Sequence, residues 1–394
     1  MTAGILTGPA ARAAALRRGL FWRLRGILFI YFAAGAALLP WFVWQVDADG
    51  ISYISIARRY LEGDFGGALN GYWGPLLSWA LAAFMAAGIK PLLAAKLFGL
   101  LSGGALLAGL HRLLGLTGCG GKPRATFLYA FMPVVYSYFC NIISPDLAVA
   151  VFTVWYLAWA LNRNYIARPC YAVYCGLAGA LAFFSKSYAL PFFMAHFTVV
   201  NALRYYRLPQ MRTTVLNRWL TGLFTFFFVA APWIIAVSYK YGPVTFSTTG
   251  GYNAAIVGPR YRGHPVNYEG LFAPKDVKAL SVWEDPSRIP VRRWSVFSPG
   301  GLAHQLRLVA DNSLSAVWIL EVVSLFSLLA LGWLAARGIR EWQMRSEPVH
   351  LYLALAVFIY CAGYTLITVR ARYLYPVFAI VFAAGAGGVA ALMR

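Results

Sequence analysis

Apolar residues fall in long uninterrupted runs along this chain, separated by short polar stretches. The runs lie near residues 27–46, 75–89, 91–110, 125–140, 146–161, 170–184, 189–203, 219–238, 313–336, 349–369 and 374–393. A helix crossing the hydrocarbon core of a bilayer needs about 20 apolar residues, so the pattern predicts an all-α polytopic membrane protein. The 75–89 run, "PLLSWALAAFMAAGI", is ambiguous by length, because other runs are nearly as short.

Charge resolves it. If 75–89 does not cross, the loops with Arg112, Lys122 and Arg124, with Arg163 and Arg168, with Arg204, Arg207, Arg212 and Arg218, and with Arg337, Arg340 and Arg345 all share the N-terminal side. That is the positive-inside pattern; if 75–89 crosses, every one of those loops moves outside. The segment is therefore placed on or dipping into the outer face, which leaves about ten spans with both termini cytoplasmic. The expected organisation is an N-terminal membrane module over 1–238 with a first outer loop at 47–90, an outer loop or small lid over 239–311, and C-terminal membrane helices over 312–394. The 239–311 stretch mixes Gly, Pro, aromatic and charged residues without a sustained helical period.

Composition sharpens this picture. Of 394 residues, 60% are hydrophobic and 12% charged, and mean hydropathy is +0.63. The net charge of +21 is explained by orientation in the membrane, since the cations lie between apolar runs, so no nucleic-acid partner is expected. Cysteines at 119, 140, 170, 175 and 361 show neither metal-ligand spacing nor a disulfide framework. Arg12, Arg17, Arg18, Arg23 and Arg25 precede an uncharged run from Gly26 to Val46, which reads as a retained signal anchor.

Candidate chemistry gathers on the outer side. "DADGISYISIARRYLEGD" at 47–64 carries six charged side chains directly after the first apolar run. Read at 3.6 residues per turn, Ile51, Ile54, Ala57 and Leu61 form an apolar stripe opposite Asp49, Tyr53 and Tyr60, as in a helix lying at the interface. Arg58 would snorkel to headgroups. Asp47 suits a helix cap, and Asp49 has both the cap and a site role open to it. Asp146, Lys186, Arg370 and Arg372 lie on the same side beside or within apolar runs, where ionisable groups are costly and usually functional. Asp146 follows "SP" and is either a helix cap or a substrate contact; Lys186 is either a snorkelling cation or an anion ligand.

These pieces together resemble a known family. Asp49 with Tyr53, "ARRYLEGD" at 57–64, "GYWGPLLSW" at 71–79, "SPDLAVAVF" at 144–152, "GLAGALAFFSKSYAL" at 176–190 and "RYLYPV" at 372–377 are similar to motifs of the GT-C superfamily of integral-membrane glycosyltransferases. The likeness is strongest to the branch of protein O-mannosyltransferases and aminoarabinose transferases. It implies a GT-C-like bundle with interfacial helices in the first outer loop and a polyprenyl-phosphate-linked sugar as donor. It also implies an acceptor that is a lipid, glycan or protein, and an inverting transfer with Asp49 as the base. Asp146 matches the family's second acidic position.

Arg370 and Arg372 become phosphate partners, because a guanidinium fork matches phosphate oxygens. Lys186 adds a second cation, and Asp47, Tyr53, Tyr72, Trp73 and Tyr373 join the substrate-binding set. Relatives in the aminoarabinose branch carry charged residues just before the Pro-Leu helix, where this chain has Asn70, Tyr72 and Trp73. In the long loop, "FSTTGGYNAAIVGPRYRGHP" at 246–265 and "WEDPS" at 283–287 offer either sugar contacts or lid structure, with His264 as the candidate side chain. Some superfamily members use a divalent metal at Asp-x-Asp, which "DAD" resembles, so a divalent metal is an open cofactor. A transporter or flippase for an anionic lipid or sugar phosphate is the competing class; the lack of repeat symmetry counts against it. Abundant Ala and Arg point to a bacterial inner membrane, with the site facing the periplasm.

Overall fold

The computed structural model describes residues 22–242, 244–261, 270–344 and 346–393. Arg12, Arg17, Arg18, His264 and Arg345 lie outside these residues. The described chain is all helical, with no strand. Helix α1 spans Leu24–Phe42, α2 Ala48–Leu61, α3 Phe65–Ala68, α4 Pro75–Ala86, α5 Pro91–Leu116, α6 Gly121–Asn141, α7 Asp146–Ala160 and α8 Cys170–Ser185. Helix α9 follows over Ala189–Arg207, then α10 Arg212–Tyr241, α11 Thr249–Ile256, α12 Gly301–Val323, α13 Ser327–Gln343, α14 Val349–Thr365 and α15 Tyr375–Leu392.

Among the described residues, four segments are long and apolar enough to cross a membrane, namely Leu24–Phe42, Pro91–Leu116, Pro209–Tyr241 and Ala371–Leu392. Shorter apolar helices cover Asp146–Ala160, Cys170–Ser185 and Val349–Thr365. The chain is an integral membrane protein whose apolar helices follow the order of the apolar runs. Helix α4 has 12 residues, about 18 Å at 1.5 Å per residue, which is well short of a bilayer core.

The 313–336 run is not one straight span. It is divided between α12 and α13, which meet at 105°. Ser324 is extended at the break, and the Ser327 hydroxyl donates to the Leu320 carbonyl at 2.8 Å. Serine hydroxyls compete with the helical ladder for backbone partners, and hydropathy alone does not register that. Helix α12 also begins at Gly301, so the expected boundary at 311 falls inside it.

Helix α2 is more enclosed than a floating interfacial helix. Ile54 and Ala57 are buried as expected, but Ile51 and Leu61 are exposed, while Tyr53 and Arg59 are buried on what should have been the wet side. The 270–289 segment covers that side, as the Arg59 contacts below establish. Arg58 points outward. Against its other neighbours, α2 packs Tyr53, Ile54 and Ala57 with Leu77, Leu81, Ala94 and Ile143.

Two features carry the C-terminal cation to this loop. Helix α15 is rich in Gly and Ala, and a Cβ at Gly387 would press on the Thr117 carbonyl; small residues of this kind let helix backbones approach closely in a membrane. The Thr117 hydroxyl in turn donates to the Ala383 carbonyl at 2.9 Å. At the start of α15, Tyr375 stacks on Tyr138 of α6, which fixes the position of the 371–374 turn before it.

Candidate active site

Helix α2 is preceded by Asp47, which stands at the N-cap position but makes no side-chain cap. Its Oδ1 instead accepts from the Ile143 N–H at 3.1 Å, and its Oδ2 lies 3.5 Å from Arg372 Nη1. Burial and the nearby Asp49 push the Asp47 carboxyl above its ordinary range, against the lowering effects of the Ile143 amide and Arg372. Two residues on, Asp49 Oδ2 accepts from Arg372 Nη2 at 2.5 Å. Asp49 is 28% exposed, and its Oδ1 makes no hydrogen bond among the described residues. Asp146 does not cap its helix either. Its Oδ1 accepts from Lys186 Nζ at 2.7 Å, its Oδ2 accepts from the Ser144 hydroxyl at 2.9 Å, and Arg372 Nε lies 3.7 Å away.

Arg372 thus sits at the meeting point of three carboxylates, and Lys186 anchors the third. Three acidic and two basic groups leave the cluster with a formal charge of −1 (3 − 2 = 1). The Lys186 ammonium rests 3.5 Å from the centre of the Tyr373 ring, a cation–π contact that holds it without consuming its remaining N–H donors. Arg370 is exposed and makes no ion pair among the described residues. It is therefore the cation with its full donor set open, whereas Arg372 is committed to carboxylates.

The remaining candidates divide into wall and support. Tyr53 is buried, with its ring 5.1 Å from that of Trp73. The Asn70 side chain accepts from the backbone N–H of Tyr72 and of Trp73, fixing the turn before α4. Tyr72 donates to Asn253 Oδ1 at 3.2 Å and Trp73 Nε1 to the Trp283 carbonyl at 2.8 Å, so both join the first loop to the long one.

Several residues that shape the site escaped the sequence reading. Arg59, 3% exposed, donates to Asp64 at 2.6 Å and to Asp276 at 2.9 Å, and is ion-paired with buried Glu284. The Asn70 amide donates to the Glu284 carbonyl at 2.5 Å, and Asp285 Oδ2 accepts from the Tyr241 hydroxyl at 2.9 Å. Hence "WEDPS" serves as a latch that joins the 47–90 loop to the end of α10. Arg59 holds Asp276 below the ordinary carboxylate range, and Asp64 is lowered by the Gly67 N–H and then by Arg59. Buried Lys96 donates to the Phe139 and Cys140 carbonyls at 3.2 and 2.7 Å, and so orders the end of α6 that leads to Ile143 and Asp146. Neighbouring cations in "ARRYLEGD" were legible; which of the two turned inward was not.

The donor set does not fit a divalent cation as arranged. Its carboxylates converge on the Arg372 guanidinium, which fills the position between them, and no group of three metal-ligating side chains forms among the described residues.

No family model and no curated protein matches the chain. Among solved structures, it is similar to the apo oligosaccharyltransferase of Archaeoglobus fulgidus, with a TM-score of 0.55 and 12% identity, over 94% of this chain and 51% of that one. It is also similar to apo ArnT from Cupriavidus metallidurans, with a TM-score of 0.48 and 17% identity, over 91% of this chain and 59% of that one. The chain thus spans about half the length of the first and under two thirds of the second. The likeness is one of fold alone: the helical architecture is similar to that of the oligosaccharyltransferase.

Proposed function

We propose that this protein is a membrane glycosyltransferase that moves a sugar from a polyprenyl-phosphate donor to an acceptor hydroxyl at the outer, periplasmic face of a bacterial inner membrane. The observation that carries the reading is the convergence of Asp49 and Asp146 on Arg372, with Lys186 bound to Asp146. The fold likeness makes a lipid-linked donor the natural class.

In this reading Asp49 is the catalytic base. Arg372 occupies its Oδ2 and fixes the carboxylate plane, which leaves Oδ1 to take the proton of the acceptor hydroxyl. The acceptor oxygen forms a bond to the anomeric carbon while the bond from that carbon to the phosphate oxygen breaks. The lipid phosphate leaves with the electron pair, and the stereochemistry inverts. Arg370 and the remaining donors of Lys186 hold the developing phosphate charge. Arg372 acts as the positioning residue for the carboxylates and not as the first phosphate ligand. Tyr72, Trp73 and Tyr373 line the approach. No step is assigned to a metal.

The test is a transfer assay on purified protein in lipid nanodiscs with a panel of polyprenyl-phosphate sugars, paired with mass spectrometry of lipid-linked sugars in cells with and without the protein. Accumulation of one donor in the deletion strain, and its consumption by wild-type protein but not by Asp49→Asn, is the expected result. Consumption by Asp49→Asn at the wild-type rate removes Asp49 from the mechanism.

A further inference from the structure

Lys96 stands in the second turn of α5, is 1% exposed and makes no ion pair among the described residues. A lysine this near a helix end ordinarily snorkels to the interface, and an ammonium kept inside a membrane segment is costly and usually functional. Its Nζ donates to the Phe139 carbonyl at 3.2 Å and to the Cys140 carbonyl at 2.7 Å. We propose that Lys96 is a positioning residue for the carboxylate cluster. By taking these two carbonyls it frees the Ile143 N–H for Asp47, and through Asp47 and Arg372 it holds Asp49. The consequence for catalysis rests on the transfer reading above; the hydrogen-bond relay does not.

The end of α6 shows why a cation is needed there. The last carbonyls of a helix have no partner within it, and the common remedy is a backbone cap, in which the N–H of the second residue past the helix turns back to a carbonyl about one turn earlier. Helix α6 ends at Asn141, so that N–H belongs to Ile143 and the carbonyls it would reach are those of Phe139 and Cys140. These are the two that Lys96 occupies. Ile142 is extended, and neither it nor Ile143 returns a backbone hydrogen bond to α6 among the described residues. The Ile143 N–H goes instead to Asp47 Oδ1 at 3.1 Å.

From Asp47 the relay reaches the base. With Oδ1 held by the Ile143 amide, Asp47 Oδ2 lies 3.5 Å from Arg372 Nη1, and Nη2 of the same guanidinium donates to Asp49 Oδ2 at 2.5 Å. The guanidinium is planar and rigid, so fixing one of its nitrogens orients the other. Helix α2 sits directly on the link: a Cβ at Gly50 would come within 2.7 Å of Ile143 Cβ. Three residues after Ile143 the same link delivers Asp146, whose Oδ2 accepts from the Ser144 hydroxyl.

Enclosure separates this role from substrate binding. Lys96 is shut off from solvent, so it touches neither donor nor acceptor, and its loss acts on turnover while leaving donor binding alone. Removing its N–H donors leaves two buried carbonyls unpaired, which is costly, and the nearest donor able to answer them is the Ile143 N–H. Asp47 then loses its anchor, and the Arg372 fork loses one of the two points that set its plane.

Selective isotope labelling of isoleucine in the purified full chain reads the Ile143 amide by NMR, with Ile143→Val as the assignment control and thermal unfolding as the folding control. In the otherwise wild-type chain, Asp47→Ala should move the Ile143 amide proton upfield, because a charge-assisted bond is lost. In the Lys96→Met chain that response should vanish, and Lys96→Arg, which still brings N–H donors to both carbonyls, should keep it. In the transfer assay Lys96→Met should lower kcat by roughly 10–10²-fold, the scale of a small misplacement at the reacting groups, with donor KM unchanged, and it should add nothing in the Asp47→Ala chain. An Ile143 amide that answers Asp47→Ala equally with and without Lys96, or kcat losses that multiply in the double variant, overturns the proposal. If Lys96→Met does not fold, Lys96→Arg decides: loss of the Ile143 response in that folded variant overturns it, and retention supports it. If wild-type protein transfers from no polyprenyl donor, the transfer reading falls and the amide response alone decides the relay.

Discussion

Arg372 Nη2 donates to Asp49 Oδ2 at 2.5 Å across 323 residues of chain, tying the turn before the last helix to the first turn of α2. The pair has consequences for activity and stability that separate cleanly. Asp49→Asn keeps the shape and can still accept from Arg372, so thermal stability should stay within about 1 kcal/mol of wild type. Transfer should fall by roughly 10²–10⁴, the usual contribution of a positioned base. Parallel melting and transfer assays check both halves.

Arg372→Ala should behave differently, because it leaves three carboxylates facing one another. Removing one partner of a largely enclosed ion cluster costs about 3–5 kcal/mol, so this variant should lose both stability and activity. Arg372→Lys restores charge without the fork that reaches Asp47, Asp49 and Asp146 together. It should recover part of the melting temperature and little of the transfer rate.

Arg370→Gln is expected to spare stability, since Arg370 is exposed and unpaired among the described residues. Its effect should appear as weaker use of the phosphate-linked donor, seen as a raised donor KM or a lowered kcat. Identical donor kinetics would remove Arg370 from phosphate binding.

The Arg59 latch sets a pH dependence. Asp64 and Asp276 have folded values below the ordinary 3.8, so their contribution is complete above pH 3.8 and is lost as pH falls through those lower values. Asp47 has the opposite sign: its raised value makes its contribution complete below pH 3.8 and progressively lost as pH rises through the folded value. Amide exchange in residues 276–285 should therefore stay protected from pH 7 down to about pH 4. Arg59→Gln should remove that protection at every pH. Asp47→Asn should raise the melting temperature at pH 7 relative to wild type, and this gain should shrink as pH approaches 3.8.

Gly74 gives a steric prediction. A Cβ there would run into the carbonyl oxygens of Phe184 and Ser185, the backbone directly before Lys186. Gly74→Ala should cost about 1–3 kcal/mol by overpacking, and it should lower transfer by moving Lys186 off Asp146. Full activity at unchanged melting temperature would show that the α4–α8 contact does not set the Lys186 position.

The sequence by itself determined the helical class and the order of the apolar helices, and it singled out Asp47, Asp49, Asp146, Lys186 and Arg372, which the structure brings together. Hydropathy, loop charge and helical period are local properties, and a bilayer converts them directly into topology. Only the tertiary structure decided which carboxylate meets which cation, because the Asp49–Arg372 and Arg59–Glu284 contacts join residues 323 and 225 positions apart. The bend between Val323 and Ser327 and the inward turn of Arg59 are of the same kind. Each depends on what packs against a residue from elsewhere in the chain, and no periodicity in its own segment encodes that.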